Sequence, residues 1–191
     1  MSQKKVFQKR IFSPATFIKS FNEAMDRVGE LRSARREGLL DQAFLERIML
    51  AVTQVNGCRY CSYAHSKAAM AAGIPADQVR ELLEGNLNTA PEDELPALFY
   101  AQHFAESKGA PEPEMTRRLQ EIYGAQKAGG IEAAIRMITM GNLLGNTFDA
   151  LLARLKGENA PGSSIGKEIA TIFLIPFSPF YLLGRKFLIR R

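Results

Sequence analysis

Apolar residues recur at helical spacing along almost the whole chain, and no stretch alternates with the period of two that a half-buried strand needs. The pattern predicts an all-α fold, a compact multi-helix domain. Ser13 followed by Pro14 reads as an N-cap with proline at the first helical position, and Phe17, Phe21, Val28 and Leu31 carry a first helix over residues 14 to 36. Asp41 caps a second helix with Phe44, Leu45, Ile48, Met49 and Val52 as its apolar stripe, and Asn56-Gly57 stops it. Cys58 opens a third, alanine-rich helix. Gly73-Ile74-Pro75 ends it and starts a short fourth one through Leu83.

Thr89 and Glu92 have capping-box spacing ahead of a helix that begins between residues 90 and 96 and runs to Lys108. Pro113 starts another that ends near Gly124. The longest run, Ile131 to Lys156, places Met137, Met140, Leu144, Phe148, Leu151 and Leu155 on one stripe, read as core or subunit interface. Asn142, Gly145 and Asn146 interrupt the opposite side, which suits helix packing or a polar lining. Gly157 to Gly166 reads as a linker. A helical domain of residues 1–158 is therefore expected, followed by a linker and an apolar, basic arm at 159–191.

The apolar part of that arm, Ile169 to Leu183, has 15 residues and contains Pro176 and Pro179. It is shorter than the ~20 residues a spanning helix requires. Two readings of the arm stay open: an element buried in an oligomer, or a membrane-surface contact through residues 169–191, which end in Arg185, Lys186, Arg190 and Arg191.

Composition narrows the class. In 191 residues, 46% are hydrophobic and 24% charged, which suits a globular core. The formal charge of +5 sits at the ends, on Lys4, Lys5, Lys9, Arg10 and the basic residues of the arm, around a mildly acidic body. No basic stripe for nucleic acid is expected from that distribution. The polar start, Met1 to Arg10, has no apolar core behind it, and two cysteines three positions apart cannot staple a secreted fold. A cytoplasmic protein is expected.

The chemistry concentrates in Cys58-Arg59-Tyr60-Cys61-Ser62-Tyr63-Ala64-His65, which holds both cysteines and one of the two histidines. On a helix, Cys58, Cys61 and His65 share one face. His65 is one turn from Cys61 and can accept its proton, whereas Cys58, at the helix start, has the dipole in its favour. The cluster reads as thiol redox chemistry. Zinc is a rival, with Glu46 or His103 as the fourth ligand beside Cys58, Cys61 and His65; no metal and no cofactor is the expected state. His103 otherwise reads as structural, and Tyr60 and Tyr63 as packing residues.

Glu46, twelve residues before Cys58, completes a pattern with Cys58, Cys61, His65, the alanine-rich helix and Gly73-Ile74-Pro75. Over residues 15 to 157 this pattern resembles the alkylhydroperoxidase D-like branch of the carboxymuconolactone decarboxylase family. The resemblance implies a homo-oligomer, usually a trimer or hexamer, with peroxidase or thiol–disulfide activity. A hydroperoxide would be the substrate, and an external dithiol the reductant. It also implies that Cys61 attacks the peroxide, that Cys58 resolves, and that Glu46 and His65 relay protons. The best-studied branch has a histidine just before the second cysteine, where this chain has Tyr60. Two other functions compete: a lactone decarboxylase of the same family, and a non-catalytic helical oligomer whose dithiol senses redox state or clips a metal.

Overall fold

A computed structural model describes residues 7–158 and 160–189. Lys4, Lys5, Arg190 and Arg191 lie outside the described residues, as do the side chains of Arg185 and Lys186. Each early start signal is met by a hydrogen bond. Ser13 Oγ accepts the Thr16 amide at 3.3 Å ahead of α1, Pro14–Arg36, and Asp41 Oδ1 accepts the Phe44 amide at 2.7 Å ahead of α2, Gln42–Asn56. Gly57, at φ 67°, turns the chain through the left-handed region that ends α2 and delivers Cys58 to the start of α3, Arg59–Ala71.

Next come α4, Ala76–Glu84, a 3₁₀ turn at Glu92–Glu94, and α5, Leu95–Glu106. The expected capping box at Thr89 and Glu92 does not form. Pro91 precedes the 3₁₀ turn without a side-chain cap, and the Thr89 carbonyl instead accepts from Gln78 Nε2. The long α6, Pro113–Leu155, bends at Gly124, whose φ of 73° and ψ of 159° are non-helical. The last helix, α7, spans Ile165–Ile189. No strand occurs among the described residues.

α6 is the spine, packing against α1, α2, α3, α5 and α7. One apolar cluster joins α2, α4, α5 and α6 through residues such as Ile48, Val52, Leu82, Leu98, Ile131 and Ile135. A second gathers Phe12, Phe17, Phe21 and Leu143 with Met140, Leu144, Leu174 and Leu182, and ties α7 to α1 and α6. The expected stripe on α6 is therefore divided. Met140 and Leu144 pack into the second cluster, but Phe148 is 44% and Leu155 71% exposed. The side that turns inward at this level is the one with Asn142 and Asn146, because α2 supplies hydrogen-bond partners that let both be buried.

α7 continues through both prolines. Pro179 has no amide hydrogen for the Ile175 carbonyl four residues earlier, and the Ser178 hydroxyl donates to that carbonyl at 2.7 Å. Glu168, fully buried, takes two hydrogen bonds from Arg154 at 2.8 and 3.1 Å, which fixes the start of α7 on the end of α6. No described helix is long and apolar enough to cross a membrane.

Candidate active site

The tight α2–α3 turn sets the two halves of the site side by side. On α2, Glu46 is 5% exposed; its Oε2 accepts from His65 Nδ1 of α3 at 2.8 Å. Gln42 Nε2 donates to the other carboxylate oxygen at 2.6 Å, and Arg35 Nη2 of α1 donates to Gln42 Oε1 at 3.0 Å. A chain of charge-assisted hydrogen bonds thus orients the imidazole. With Nδ1 held by a carboxylate, Nε2 is the nitrogen left for proton exchange.

One turn before His65 lies the dithiol. Cys58 is fully buried and is itself the N-cap of α3, its Sγ accepting the Cys61 amide at 3.3 Å. Cys61 is half-buried and hydrogen-bonds Cys58 through its thiol. That bond, helped by the Cys61 and Tyr60 amides and by Lys9, lowers the Cys58 thiol from 9.0 to about 6 against the opposing effect of burial. The same bond, together with burial, pushes Cys61 upward, while Asn142 acts in the other direction. The two thiols titrate as a pair, with Cys58 the more acidic of the two.

α6 closes the other side of the dithiol. A Cβ at Gly145 would lie 2.6 Å from Cys58 Sγ and 3.8 Å from Cys61 Sγ, so only glycine lets the helix approach this closely. Asn142, fully buried, donates to Thr53 Oγ1 at 3.0 Å, accepts from Asn56 Nδ2 at 3.2 Å and bonds the Cys61 thiol. Asn146 donates to the Asn56 and Arg10 carbonyls at 2.8 and 3.1 Å. Asp149 then joins the N-terminal segment to α3, pairing with Lys9 at 3.0 Å and Arg59 at 2.5 Å.

Glu46 and His65 are brought together, and Cys58 with Cys61. Among the described residues no three His, Cys, Asp or Glu side chains gather closely enough to hold a metal ion, so Cys58, Cys61 and His65 do not converge as ligands. His103 is elsewhere, paired with Glu112 at the start of α6. Tyr60 lies under the Arg59 guanidinium and beside Phe148, and Tyr63 is exposed near Lys67. Sequence reasoning missed Gln42, Arg35, Thr53 and Lys9. Of these only Gln42 carries a local signal, four residues before Glu46 on the same helix.

Residues 21–105, the segment that holds Glu46, Cys58, Cys61 and His65, match the model of the carboxymuconolactone decarboxylase family. Over this segment the chain is similar to the carboxymuconolactone decarboxylase family. The family includes enzymes, decarboxylases and alkylhydroperoxidase-type peroxidases among them. The match spans the family's segment from α1 to α5, so Asn142 and Gly145 on α6 complete the site from outside it. No curated protein and no solved structure matches the chain.

Proposed function

We propose that this protein is a member of the carboxymuconolactone decarboxylase family and a thiol-dependent peroxidase that cycles Cys58 and Cys61 between dithiol and disulfide. The observation that carries the reading is the geometry of the pair: Cys58, fully buried, accepts the Cys61 amide at 3.3 Å through its Sγ and is hydrogen-bonded to the more accessible thiol of Cys61. A decarboxylase of the same family has no use for such a pair.

The order of events follows from access as well as charge. Cys58 carries the negative charge but is covered, so the hydroperoxide meets Cys61 first. As Cys61 Sγ attacks the terminal peroxide oxygen, its proton passes to Cys58 and the O–O bond breaks. The departing alkoxide takes a proton from solvent by way of His65, whose ring Glu46 orients. Cys61 is now a sulfenic acid. Cys58 attacks that sulfur, and the hydroxide leaves as water with the Cys58 proton, giving the Cys58–Cys61 disulfide. An external dithiol restores the pair by two exchange steps and becomes a disulfide itself.

The test is mass spectrometry of peroxide-treated protein. Loss of two hydrogens from one peptide containing both cysteines supports the proposal, and Cys58→Ser is expected to accumulate a sulfenic acid at Cys61. Two alkylatable thiols after treatment would remove the proposal's basis. A sulfenic acid that forms on Cys58 in Cys61→Ser, and not on Cys61 in Cys58→Ser, would reverse the roles.

A further inference from the structure

Three buried polar atoms without a partner belong to residues that meet at one hollow. Among the described residues, Arg10 Nη1, Arg136 Nε and Thr139 Oγ1 are buried and make no hydrogen bond. Arg10, Arg136 and Thr139 all line a hollow of about 240 Å³ between the N-terminal segment, α1, the end of α5 and α6. On α6, Arg136 and Thr139 are three positions apart and share a face. Thr139 is only 5% exposed, so water does not reach its hydroxyl from the surface. A buried donor left unpaired destabilises a folded chain, and three around one hollow call for a common explanation.

The remaining contacts of these groups define what is missing. Arg10 Nη2 donates to the Lys108 carbonyl at 3.1 Å. Arg136 Nη1 donates to Glu23 Oε2 at 3.2 Å, and its guanidinium lies over the Phe104 ring, 5.1 Å from the centroid. Both guanidinium groups are thus held in place with one nitrogen still unpaired. Guanidinium nitrogens only donate, so the missing partner is an acceptor.

Its charge follows from the surroundings. Lys19 and Lys108 also line the hollow, and its one carboxylate, Glu23, is already engaged by Arg136 and, at 3.9 Å, by Lys19. Glu106 is exposed on an adjoining hollow and forms no ion pair with Arg10 or Lys108. Burial works against the charge of Arg10, and no carboxylate offsets it. Four cations around one engaged carboxylate favour a dianion over a monoanion, and guanidinium groups match phosphoryl oxygens in geometry. Phe12, Phe104 and Leu143 add an apolar wall. The hollow is below the ~300–1,000 Å³ of a drug-sized site, which limits the ligand to a small one. We infer that this hollow binds a phosphate monoester carrying a small apolar group. Neither cysteine nor His65 lines it, and the inference is independent of the dithiol chemistry.

Isothermal titration calorimetry of the full chain at fixed ionic strength, with phenyl phosphate, inorganic phosphate and benzoate as probes, tests it. Phenyl phosphate is expected to bind more tightly than inorganic phosphate, which lacks the apolar part, and than benzoate, which carries a single charge. Thr139→Val removes only an unpaired hydroxyl. It is expected to keep or raise the unfolding midpoint of the free protein and to weaken phenyl phosphate binding by roughly threefold to tenfold. Arg10→Gln is expected to weaken it by roughly tenfold or more. The inference is overturned if no probe binds saturably at millimolar concentration, which would leave the three atoms to water. Binding that neither substitution changes would place the ligand elsewhere and overturn it too, and benzoate binding as tightly as phenyl phosphate would overturn the ligand class. The three probes on the wild-type chain and on Thr139→Val decide the question even where Arg10→Gln does not fold.

Discussion

Replacing Gly145 with alanine perturbs the dithiol through a single methyl group. The new Cβ would sit 2.6 Å from Cys58 Sγ, about 1 Å inside ordinary van der Waals contact. Cys58 is fully buried, so the sulfur can yield only by leaving the Cys61 amide, which it already holds at 3.3 Å. At a pKa of about 6, roughly nine-tenths of Cys58 is ionised at pH 7, and at its ordinary 9.0 roughly one part in a hundred would be. The thiolate population can therefore fall by at most about 90-fold, and Gly145→Ala is expected to raise the first ionisation of the pair toward the ordinary thiol range. Thiolate absorbance followed against pH reads this directly. Stability should fall by about 0–2 kcal/mol, since overpacking costs ~1–3 and the helix gains ~1 from alanine. Gly141 is the control on the same helix, because a Cβ there meets nothing within 4 Å. Gly141→Ala should stabilise by up to ~1 kcal/mol and leave the ionisation unchanged. If Gly145→Ala behaved like Gly141→Ala in both respects, the close approach of α6 would not be what sets the dithiol.

The pair also makes stability depend on pH. Because the folded pKa of Cys58 is depressed to about 6 from 9.0, its contribution is complete above pH 9 and is lost as pH falls through 6; Cys61, pushed upward, reverses the slope above pH 9, where the unfolded chain releases a proton that the native state keeps. Urea midpoints of the wild-type chain minus those of the Cys58→Ser/Cys61→Ser double variant should therefore rise from pH 6 to 9 and then decline; a flat difference would refute the opposed shifts of the two thiols. Asn142→Ala strands Asn56 Nδ2 beside a fully buried void and is expected to cost about 1–3 kcal/mol in denaturant unfolding, with a further rise in the Cys61 pKa.

How much of this was legible depends on how local each signal is. Ser13, Asp41 and Gly57 declared the bounds of α1 and α2 because their caps involve residues at most four apart. Cys58, Cys61 and His65 sit on one helix, so their spacing placed them on one face. Glu46 needs the α2–α3 packing as well, and its likeness to a family pattern supplied what spacing alone could not. The inward side of α6 was hidden. Counting apolar residues favours the stripe with Phe148 and Leu155, whereas burial of Asn142 and Asn146 rests on Thr53 and Asn56, about ninety positions earlier. Gly145 was visible as an interruption, but its contact with Cys58 is a tertiary fact. Pro176 and Pro179 argued against a regular helix, and the Ser178 hydroxyl that makes good the carbonyl freed by Pro179 is too specific a compensation to read from composition. Thr89 and Glu92 had the spacing of a cap without its geometry, since Pro91 between them directs the chain into a 3₁₀ turn.

The most direct test of the account is steady-state consumption of an organic hydroperoxide by the purified chain with a dithiol reductant, compared across the wild type, Cys58→Ser, Cys61→Ser and His65→Ala. The account predicts turnover by the wild type, none by either serine variant, and about 10²-fold slower turnover by His65→Ala. Turnover that survived loss of both cysteines, or a wild-type chain that consumed no hydroperoxide with any dithiol supplied, would contradict it.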